Sequence, residues 1–286
     1  MSTGVQRPAF ASVGVLGAGT MGTGIGYVAA RSGATVWLVE PDPARHAGSA
    51  AVMRARSDAG PELLARVRRC AGAAELPTGL DAIVEAVPED AELKRDVLAA
   101  AETRRPRLLG SNTSTIPIHT LAVGLSRPER LIGLHFFNPV WAMPLLEVVR
   151  QPTTPAATVA AALELAAQLG KDPIVVADVA GFATSRLGLA LGLEAMRMLE
   201  DQVASAEDID RAMMLGYRHP MGPLRLTDLI GLDVRLAAAR TLEGALGERF
   251  RPPQILLDHV QRGELGRKTG RGFFDWPAGP GARAER

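Results

Sequence analysis

Cysteine is nearly absent from this chain. Cys70 is the only cysteine among 286 residues, so the fold contains no framework of disulfide bonds. A chain of this length buries enough apolar surface to be stable without such cross-links. No group of side chains in the sequence has the spacing of a metal site, and Cys70 has no histidine motif beside it. We therefore expect neither a structural disulfide nor a bound metal.

The chain also lacks an excess of charge of either sign. Its 32 Lys and Arg residues nearly balance 31 Asp and Glu residues, which leaves a formal net charge of +1. Binding to nucleic acid or to an anionic membrane surface depends on a strong positive field, which this composition does not supply. We therefore expect no nucleic-acid partner and no membrane partner.

Long hydrophobic runs are missing as well. The longest apolar runs, such as residues 187–193, are far shorter than the roughly 20 residues that a transmembrane helix requires. Residues 1–11 contain one arginine and no apolar segment of the kind found in secretory signals. These features predict a cytoplasmic protein.

Lysine and histidine are scarce, which limits the candidates for proton transfer. Only three of the 32 basic residues are lysines, and there are five histidines. Among the histidines, His46, His119 and His259 have no acidic partner at a recognisable spacing, and His219 lies in a segment typical of a turn. The remaining histidine is His135, and the lysines are Lys94, Lys171 and Lys268.

A glycine-rich turn follows the first apolar run, residues 13–16. Gly17, Ala18, Gly19, Thr20, Met21 and Gly22 have the G-x-G-x-x-G spacing at the start of a segment with helical periodicity. The first glycine permits a tight turn, the second lets the backbone approach a pyrophosphate, and the third allows close packing of the helix. The helix N-terminus then faces the phosphates. This arrangement predicts a dinucleotide site in a Rossmann-like domain.

The second apolar run, residues 36–39, is followed by an acidic residue. Glu40 lies 23 residues after Gly17, where an acid binds the ribose hydroxyls of a dinucleotide. A carboxylate there repels a 2′-phosphate, so the sequence favours NAD over NADP. Arg45 nearby is the one feature that favours the phosphate.

Strand-like and helix-like segments alternate as far as residue 177, and helical periodicity dominates after Gly181. The alternation is typical of a doubly wound, parallel α/β sheet. We place the domain boundary close to Ala180. The sequence thus predicts an α/β domain over residues 1–180 and an all-α domain over residues 181–286.

A run of small polar residues follows the predicted strand at 108–110. It contains Asn112 and Ser114 in the segment Ser-Asn-Thr-Ser. Doubly wound folds bind ligands at the carboxyl ends of their strands, where this segment would lie. The same residues also form ordinary turns and helix caps, so both interpretations stay open.

His135 and Glu147 both lie in apolar segments, twelve residues apart. A lone carboxylate is costly to bury, and an imidazole between apolar neighbours also needs a partner. If the two strands lie side by side, each group satisfies the other. A carboxylate–imidazole pair is a general-base device, because the carboxylate fixes the tautomer and stabilises the imidazolium.

The sequence resembles the L-3-hydroxyacyl-CoA dehydrogenase family along nearly its whole length, from about Ser12 to Trp276. The segments that carry the resemblance are VGVLGAGTMG, EAVPEDAELK, SNTSTIPI, LHFFNPVWAMPLLEVV, DVAGFATSRL, EDIDRAMMLGYRHPMGP and GRKTGRGFFDW. The HFFNP block with its downstream glutamate is specific to this family. The resemblance implies an N-terminal NAD domain, a C-terminal helical domain that forms a homodimer, and an acyl-CoA substrate.

The resemblance also implies roles for individual residues. His135 is the general base for the 3-hydroxyl, Glu147 orients it, and Ser114 contacts the substrate hydroxyl. Asn138 belongs to the region of the cofactor and substrate, and Glu89 and Lys94 match positions that contact NAD. Together with the glycine turn, the expected cofactor residues are Gly17, Ala18, Gly19, Thr20, Met21, Gly22, Glu40, Glu89, Lys94, Asn112 and Asn138.

Two departures from the family pattern concern the substrate. Ser185 stands where the family typically has an asparagine that positions the substrate near the thioester carbonyl, and a hydroxyl has a shorter reach. The segment between Glu40 and Ala82 is shorter and poorer in lysine than in the animal mitochondrial members. Arg54 and Arg56 lie in this segment and are candidates for the CoA phosphates, although a solvated helix face explains them as well.

Three functions therefore follow from the sequence. The first is NAD-dependent oxidation of a short-chain (3S)-3-hydroxyacyl-CoA such as 3-hydroxybutyryl-CoA to the 3-oxoacyl-CoA. The second keeps the chemistry and changes the substrate to a free hydroxy acid such as L-gulonate, or to an acyl group on a carrier protein. The third is an NAD-binding sensor on a retired enzyme scaffold.

Overall fold

The computed structural model describes residues 8–56, 58 and 60–277, so the N-terminal segment 1–11 is described only from residue 8. The chain divides between Val179 and Ala180 into two compact units. Among the described helices, none is both long enough and apolar enough to cross a membrane.

The first unit contains a sheet of eight strands in the order β3-β2-β1-β4-β5-β6-β7-β8. Neighbouring strands are parallel except β6 and β7, which are antiparallel. The order 3-2-1-4-5-6 is that of dinucleotide-binding Rossmann folds. The strands are β1 (Ser12–Leu16), β2 (Thr35–Val39), β3 (Val67–Cys70), β4 (Ala82–Glu85), β5 (Leu108–Ser111), β6 (Leu131–Phe136), β7 (Leu145–Arg150) and β8 (Asp172–Ala177).

Six α-helices are described in this unit, and two of them begin directly after an aspartate. The side chain of Asp42 accepts a hydrogen bond from Ala44 N, and that of Asp90 accepts one from Leu93 N, so each caps a helix N-terminus. The helices of this unit are α1 (Thr20–Arg31), α2 (Pro43–Arg54), α3 (Pro61–Ala65), α4 (Ala91–Glu102), α5 (Ile118–Leu121) and α6 (Ala156–Gln168).

The core of the first unit lies between the sheet and its helices. Ile25 and Val28 of α1 are each 1% exposed and belong to the same apolar cluster as Val15, Val36 and Leu38 of the central strands. Burying one such side chain contributes about 1.5–3 kcal/mol. This packing fixes α1, and with it the glycine turn that precedes it, against the carboxyl end of β1.

Strand β3 is not predicted from the sequence. Its residues are Val-Arg-Arg-Cys, it lies at the edge of the sheet, and both arginines are exposed, so it has no continuous apolar run. Edge strands often carry charges that prevent pairing with other chains. Its last residue, Cys70, is buried, and burial raises the pKa of its thiol, which keeps it protonated.

The second unit is helical. Leu193, Met196, Leu224 and Leu242 are fully buried in its core, and the carboxylate of Asp228 accepts hydrogen bonds from the closing segment 273–276. Its helices are α7 (Thr184–Glu200), α8 (Ala206–Gly216), α9 (Pro223–Ile230), α10 (Leu232–Leu246) and α11 (Gln254–Gln261). The predicted fold class, a doubly wound α/β domain followed by an all-helical domain, is confirmed, with one antiparallel strand pair in the sheet.

A buried ion pair joins the end of β4 to α4. Lys94 is 1% exposed, and its Nζ lies 2.7 Å from Glu85 Oε1, 3.1 Å from the carbonyl oxygen of Val87 and 3.3 Å from Glu89 Oε2. Glu85 itself has no exposed surface. Neither charge has access to solvent, so each depends on the other to offset its desolvation.

We predict that Lys94→Met lowers the free energy of unfolding by about 3–5 kcal/mol at neutral pH, because Glu85 is left as a buried charge without its partner. Burial raises the pKa of the Glu85 carboxyl, and Lys94 opposes that rise. Without Lys94 the acid takes up a proton as the pH falls. The loss of stability in the variant therefore becomes smaller as the pH is lowered. It stops changing below the pH at which Glu85 is protonated in the unfolded chain as well. Urea unfolding followed by circular dichroism at several pH values measures both effects.

The matched control is Lys94→Met combined with Glu85→Gln, which replaces both charges by neutral groups. We expect the double variant to recover part of the lost stability and to lose the pH dependence that comes from this pair. A single variant that unfolds within about 0.5 kcal/mol of the parent would contradict a stabilising role for the pair.

Candidate active site

The glycine turn has the geometry that an approaching ligand requires. Gly17 has φ +99°, and a Cβ on it would lie 2.8 Å from the carbonyl oxygen of Ala86. A Cβ on Gly22 would lie 1.8 Å from the carbonyl oxygen of Gly17, so packing within the chain excludes a side chain at both positions. A Cβ on Gly19 would meet no atom of the chain within 4 Å. The space beside Gly19 is therefore not filled by the chain itself. Because glycine has no side chain, a pyrophosphate can approach the backbone there.

Glu40 is held against this turn. Its side chain is buried at the end of β2, Oε2 accepts a hydrogen bond from Ala18 N at 3.2 Å, and Oε1 accepts one from Asp42 N at 3.3 Å. Two backbone donors thus fix the carboxylate where an adenosine ribose would lie in a Rossmann fold. The residues present therefore fit NAD.

A cavity of about 600 Å³ lies in front of the turn, within the size range of small-molecule sites. Its wall includes Glu40, Arg45 and the segment 71–73. That segment directly follows β3. Because β3 is not predicted from the sequence, the position of this segment in the cavity wall is not predicted either. From the glycine turn, the cavity is lined by Gly17, Gly19, Thr20 and Met21.

His135 and Glu147 face each other across the antiparallel pair β6–β7. The register places the two residues directly opposite, and Nδ1 of His135 lies 2.6 Å from Oε2 of Glu147. Their exposed fractions are 4% and 0%. Donation of the Nδ1 proton to the carboxylate makes Nε2 the acceptor nitrogen of the ring. The ring also packs against Phe137, with 4.5 Å between ring centroids.

The loop after β5, which carries Ser114, is tied to its surroundings at several points. Asn112 is buried, and its Oδ1 accepts a hydrogen bond from Phe136 N in β6 at 2.9 Å. Oε1 of Glu89 accepts hydrogen bonds from Ser114 N and from the hydroxyl of Thr113, both at 2.8 Å. Ser114 therefore follows the carboxyl end of β5, as the glycine turn follows the carboxyl end of β1. Its loop is fixed by hydrogen bonds.

Glu89 is charged in this environment. Burial acts to raise its pKa, but Lys94 and the hydrogen bonds from the Ser114 loop outweigh burial and lower the pKa below its ordinary value. The Lys94 ammonium has three acceptors within the chain: Glu85, Glu89 and the carbonyl of Val87. Lys94 thus pairs with Glu89 and is not among the residues that line the 600 Å³ cavity.

The other expected site residues lie in four separate places. Asn138 is exposed just beyond β6, and Arg54 is exposed at the end of α2. The Arg56 guanidinium lies 4.7 Å from the ring centroid of Trp141, a cation–π contact. Ser185 belongs to the first turn of α7, in the helical unit. Within the part of the chain that the structure describes, no cluster of three or more metal-type ligands occurs.

Two histidines have acidic partners that the sequence does not reveal. Nδ1 of His119 lies 2.6 Å from Asp178, and Nδ1 of His259 lies 2.8 Å from Glu264. Neither acid stands at a recognisable spacing from its histidine in the sequence, so the fold alone brings each pair together. Asp178 also accepts hydrogen bonds from the backbone N–H groups of residues 118 and 119, so it caps α5.

Glu85 is a buried acid near the candidate site that the sequence does not single out. It ends the apolar strand Ala-Ile-Val-Glu, just as Glu147 lies within an apolar strand. A lone carboxylate in an apolar run needs a partner, and this holds for Glu85 as it does for Glu147. Its partner is Lys94, nine residues further along the chain.

Two family models match the chain. The model described as 3-hydroxyacyl-CoA dehydrogenase, NAD binding domain, matches residues 12–179, and the model described as 3-hydroxyacyl-CoA dehydrogenase, C-terminal domain, matches residues 181–276. Together they cover both compact units.

Relatives of known name agree with these matches. A 3-hydroxybutyryl-CoA dehydrogenase of Mycobacterium tuberculosis is 40% identical over 291 aligned positions, which cover 96% of this chain and 100% of that protein. A 3-hydroxyadipyl-CoA dehydrogenase of Escherichia coli is 38% identical, and the match covers 93% of this chain and 59% of that protein.

The crystal structure of (S)-3-hydroxybutyryl-CoA dehydrogenase from Ralstonia eutropha has the same fold. It superimposes with a TM-score of 0.88 at 36% sequence identity, covering 94% of this chain and 99% of that chain. With the dinucleotide cavity and both family models, these matches show that the chain belongs to the 3-hydroxyacyl-CoA dehydrogenase family of NAD-dependent oxidoreductases.

Proposed function

We propose that this enzyme interconverts short-chain (3S)-3-hydroxyacyl-CoA, such as 3-hydroxybutyryl-CoA, and the corresponding 3-oxoacyl-CoA. His135 is the general base in the oxidation, and Glu147 orients it. The observation that carries the proposal is the buried contact of 2.6 Å between His135 Nδ1 and Glu147 Oε2. Relatives named as 3-hydroxybutyryl-CoA dehydrogenases support the choice of substrate.

The oxidation removes a hydride from C3 of the substrate and a proton from its 3-hydroxyl. Bound NAD supplies the hydride acceptor. Nε2 of His135 takes the hydroxyl proton, so the oxygen lone pair can form the carbonyl double bond as the C3–H bond breaks. In the reverse direction the imidazolium returns this proton to the oxygen.

Glu147 makes the proton transfer favourable in two ways. Accepting the Nδ1 proton holds the ring in the tautomer whose Nε2 is basic. The carboxylate charge also stabilises the imidazolium that forms when Nε2 takes the proton. Because both groups are almost fully buried, their attraction is weakly screened by solvent.

The remaining residues of the N-terminal unit hold the reactants in our proposal. The glycine turn and Glu40 bind the NAD pyrophosphate and ribose, and Asn112 and Asn138 contribute to the cofactor site. Ser114 contacts the substrate hydroxyl. Lys94 is a positioning residue, because it holds the Glu89 carboxylate that in turn binds the Ser114 loop.

Three residues supply the acyl-CoA contacts in our proposal. Ser185 contacts the substrate near the thioester in place of the family's asparagine, and Arg54 and Arg56 are candidates for the CoA phosphates. The Arg56 side chain already packs on Trp141, so Arg54 has greater freedom to reach a phosphate.

The enzyme also forms a homodimer through its helical unit in our proposal. Large apolar side chains of α7 and α8 and the following turn are exposed there, including Leu187 at 65%, Leu215 at 74% and Tyr217 at 76%. Surfaces of this kind mark protein interfaces. A monomer in sedimentation experiments at micromolar concentration would contradict the dimer.

Reduction of acetoacetyl-CoA by NADH, followed by the loss of nicotinamide absorbance, tests the proposed substrate. We expect turnover with short-chain thioesters, and weak or no turnover with the free acids or with an acyl carrier protein thioester. A protein that binds NADH but prefers a free acid such as L-gulonate would keep the chemistry and overturn the substrate. No turnover with any of these compounds would favour an NAD-binding sensor.

The roles of His135 and Glu147 generate a second prediction. His135→Ala lowers kcat about 10²–10⁴-fold, the usual effect of losing a general base, while NADH affinity is unchanged. Glu147→Gln lowers kcat in the same range, because the glutamine amide can donate to Nδ1 and favour the wrong tautomer. Steady-state kinetics and NADH fluorescence titrations measure the two effects.

His119→Ala is the matched control, because His119 also lies 2.6 Å from a carboxylate but is exposed. We expect its kcat to equal that of the parent. An unchanged kcat in His135→Ala would remove His135 as the base, and an equal loss of NADH binding would indicate misfolding instead.

A further inference from the structure

A second cavity lies at the amino ends of the central strands, whereas the glycine turn lies at the carboxyl end of β1. It measures about 720 Å³ and lies where α4 ends and where β5 and β6 begin. Four arginines and one acid contribute to its wall, and we call it the arginine cavity. These residues are Arg105, Arg107, Arg127, Arg130 and Glu102.

Two charges in the arginine cavity are already compensated within the chain. Arg107 forms an ion pair with Glu164 at 2.6 Å. The carboxylate of Glu102 accepts hydrogen bonds from the backbone N–H groups of Ser126 and Arg127, both at 2.8 Å. The Glu102 charge is therefore bound to the loop that leads to β6.

Three guanidinium groups remain without an acidic partner among the described residues. Arg105, Arg127 and Arg130 are exposed, and none of them forms an ion pair with any part of the chain that the structure describes. Like charges around one concave surface repel one another, and an anion bound between them relieves that repulsion. Each guanidinium presents a planar fork of donors that matches a phosphate group.

The backbone at Arg105 adds an independent observation. Arg105 has φ +53°, a left-handed conformation that glycine or asparagine adopts at lower cost after a helix. Its N–H donates to the carbonyl of Glu102, which closes the turn through the backbone alone. The turn therefore does not require the arginine side chain, which projects from a wall of the cavity.

We propose that the arginine cavity binds a small molecule that carries two or more linked phosphates, such as a nucleoside triphosphate or free polyphosphate. Three unpaired guanidinium groups suit a ligand with several negative charges. The volume is within the range of small-molecule sites, so it accommodates more than a single phosphate ion.

This site is separate from the cofactor site. Arg130 immediately precedes β6, and His135 is the fifth residue of that strand. Five residues at about 3.3 Å each place the two backbone positions about 16 Å apart along the strand. A ligand among the three arginines binds beyond the reach of the reacting atoms. The proposal does not depend on the identity of the acyl substrate.

Isothermal titration calorimetry with tripolyphosphate tests the proposal on the full chain, in the presence of saturating NADH. The NADH blocks the glycine turn, which would otherwise bind phosphates itself. We expect one binding event per chain. Arg105→Gln combined with Arg127→Gln should weaken it at least tenfold, because two of the three unpaired guanidinium groups are lost.

Two control variants separate this site from other arginines. Arg240→Gln removes an exposed arginine from α10 and should leave tripolyphosphate affinity unchanged. Arg54→Gln combined with Arg56→Gln should also leave it unchanged. Loss of binding in this second control, or equal binding by the parent and the Arg105/Arg127 variant, would overturn the proposal. Absence of any binding to the parent would also overturn it.

Parallel titrations with ATP distinguish the two sources of the phosphates. An affinity for ATP well above that for tripolyphosphate assigns the site to a nucleotide, and equal affinities assign it to the phosphate chain alone. Circular dichroism melting curves must be the same for the parent, the Arg105/Arg127 variant and the Arg240 variant, since these three arginines are exposed and outside both cores.

Discussion

The antiparallel pairing of β6 and β7 is the constraint on which the proposed chemistry depends. Every other neighbouring pair in the sheet is parallel. Because β7 runs antiparallel to β6, His135 near the end of β6 lies directly opposite Glu147 in the middle of β7. That register brings the imidazole of His135 onto the carboxylate of Glu147. A shift of one residue would send one side chain to the other face of the sheet.

Buried carboxylates recur at the end of the sheet where the glycine turn lies. Glu40 directly follows β2 and is held by backbone N–H groups, and Glu85 ends β4 and is held by Lys94. Glu147 is held by His135. Each of these carboxylates has a different kind of partner. Backbone donors fix the position of the Glu40 carboxylate, Lys94 links Glu85 to Glu89 and so to the Ser114 loop, and the imidazole pairs Glu147 with the proposed base.

Sequence reasoning predicted the parts of the fold that local pattern determines. The βαβ unit, the glycine turn and Glu40 follow from residues near one another in the chain, and the structure places Glu40 against the turn. The pairing of His135 with Glu147 was predicted only on the condition that their strands are neighbours, because periodicity does not give strand order. Strand β3 was missed because its exposed arginines hide the apolar alternation. The partners of His119 and His259 were missed because each depends on how the folded chain brings the two residues together.

The tautomer of His135 tests the central claim most directly, because the proposed base is Nε2 and its basicity depends on Glu147. Nitrogen NMR of the protein labelled with the heavy nitrogen isotope in histidine distinguishes the two ring nitrogens. The account predicts that neutral His135 carries its proton on Nδ1, and that this preference is lost in Glu147→Gln. A neutral ring protonated on Nε2 in the unmodified protein would contradict the account.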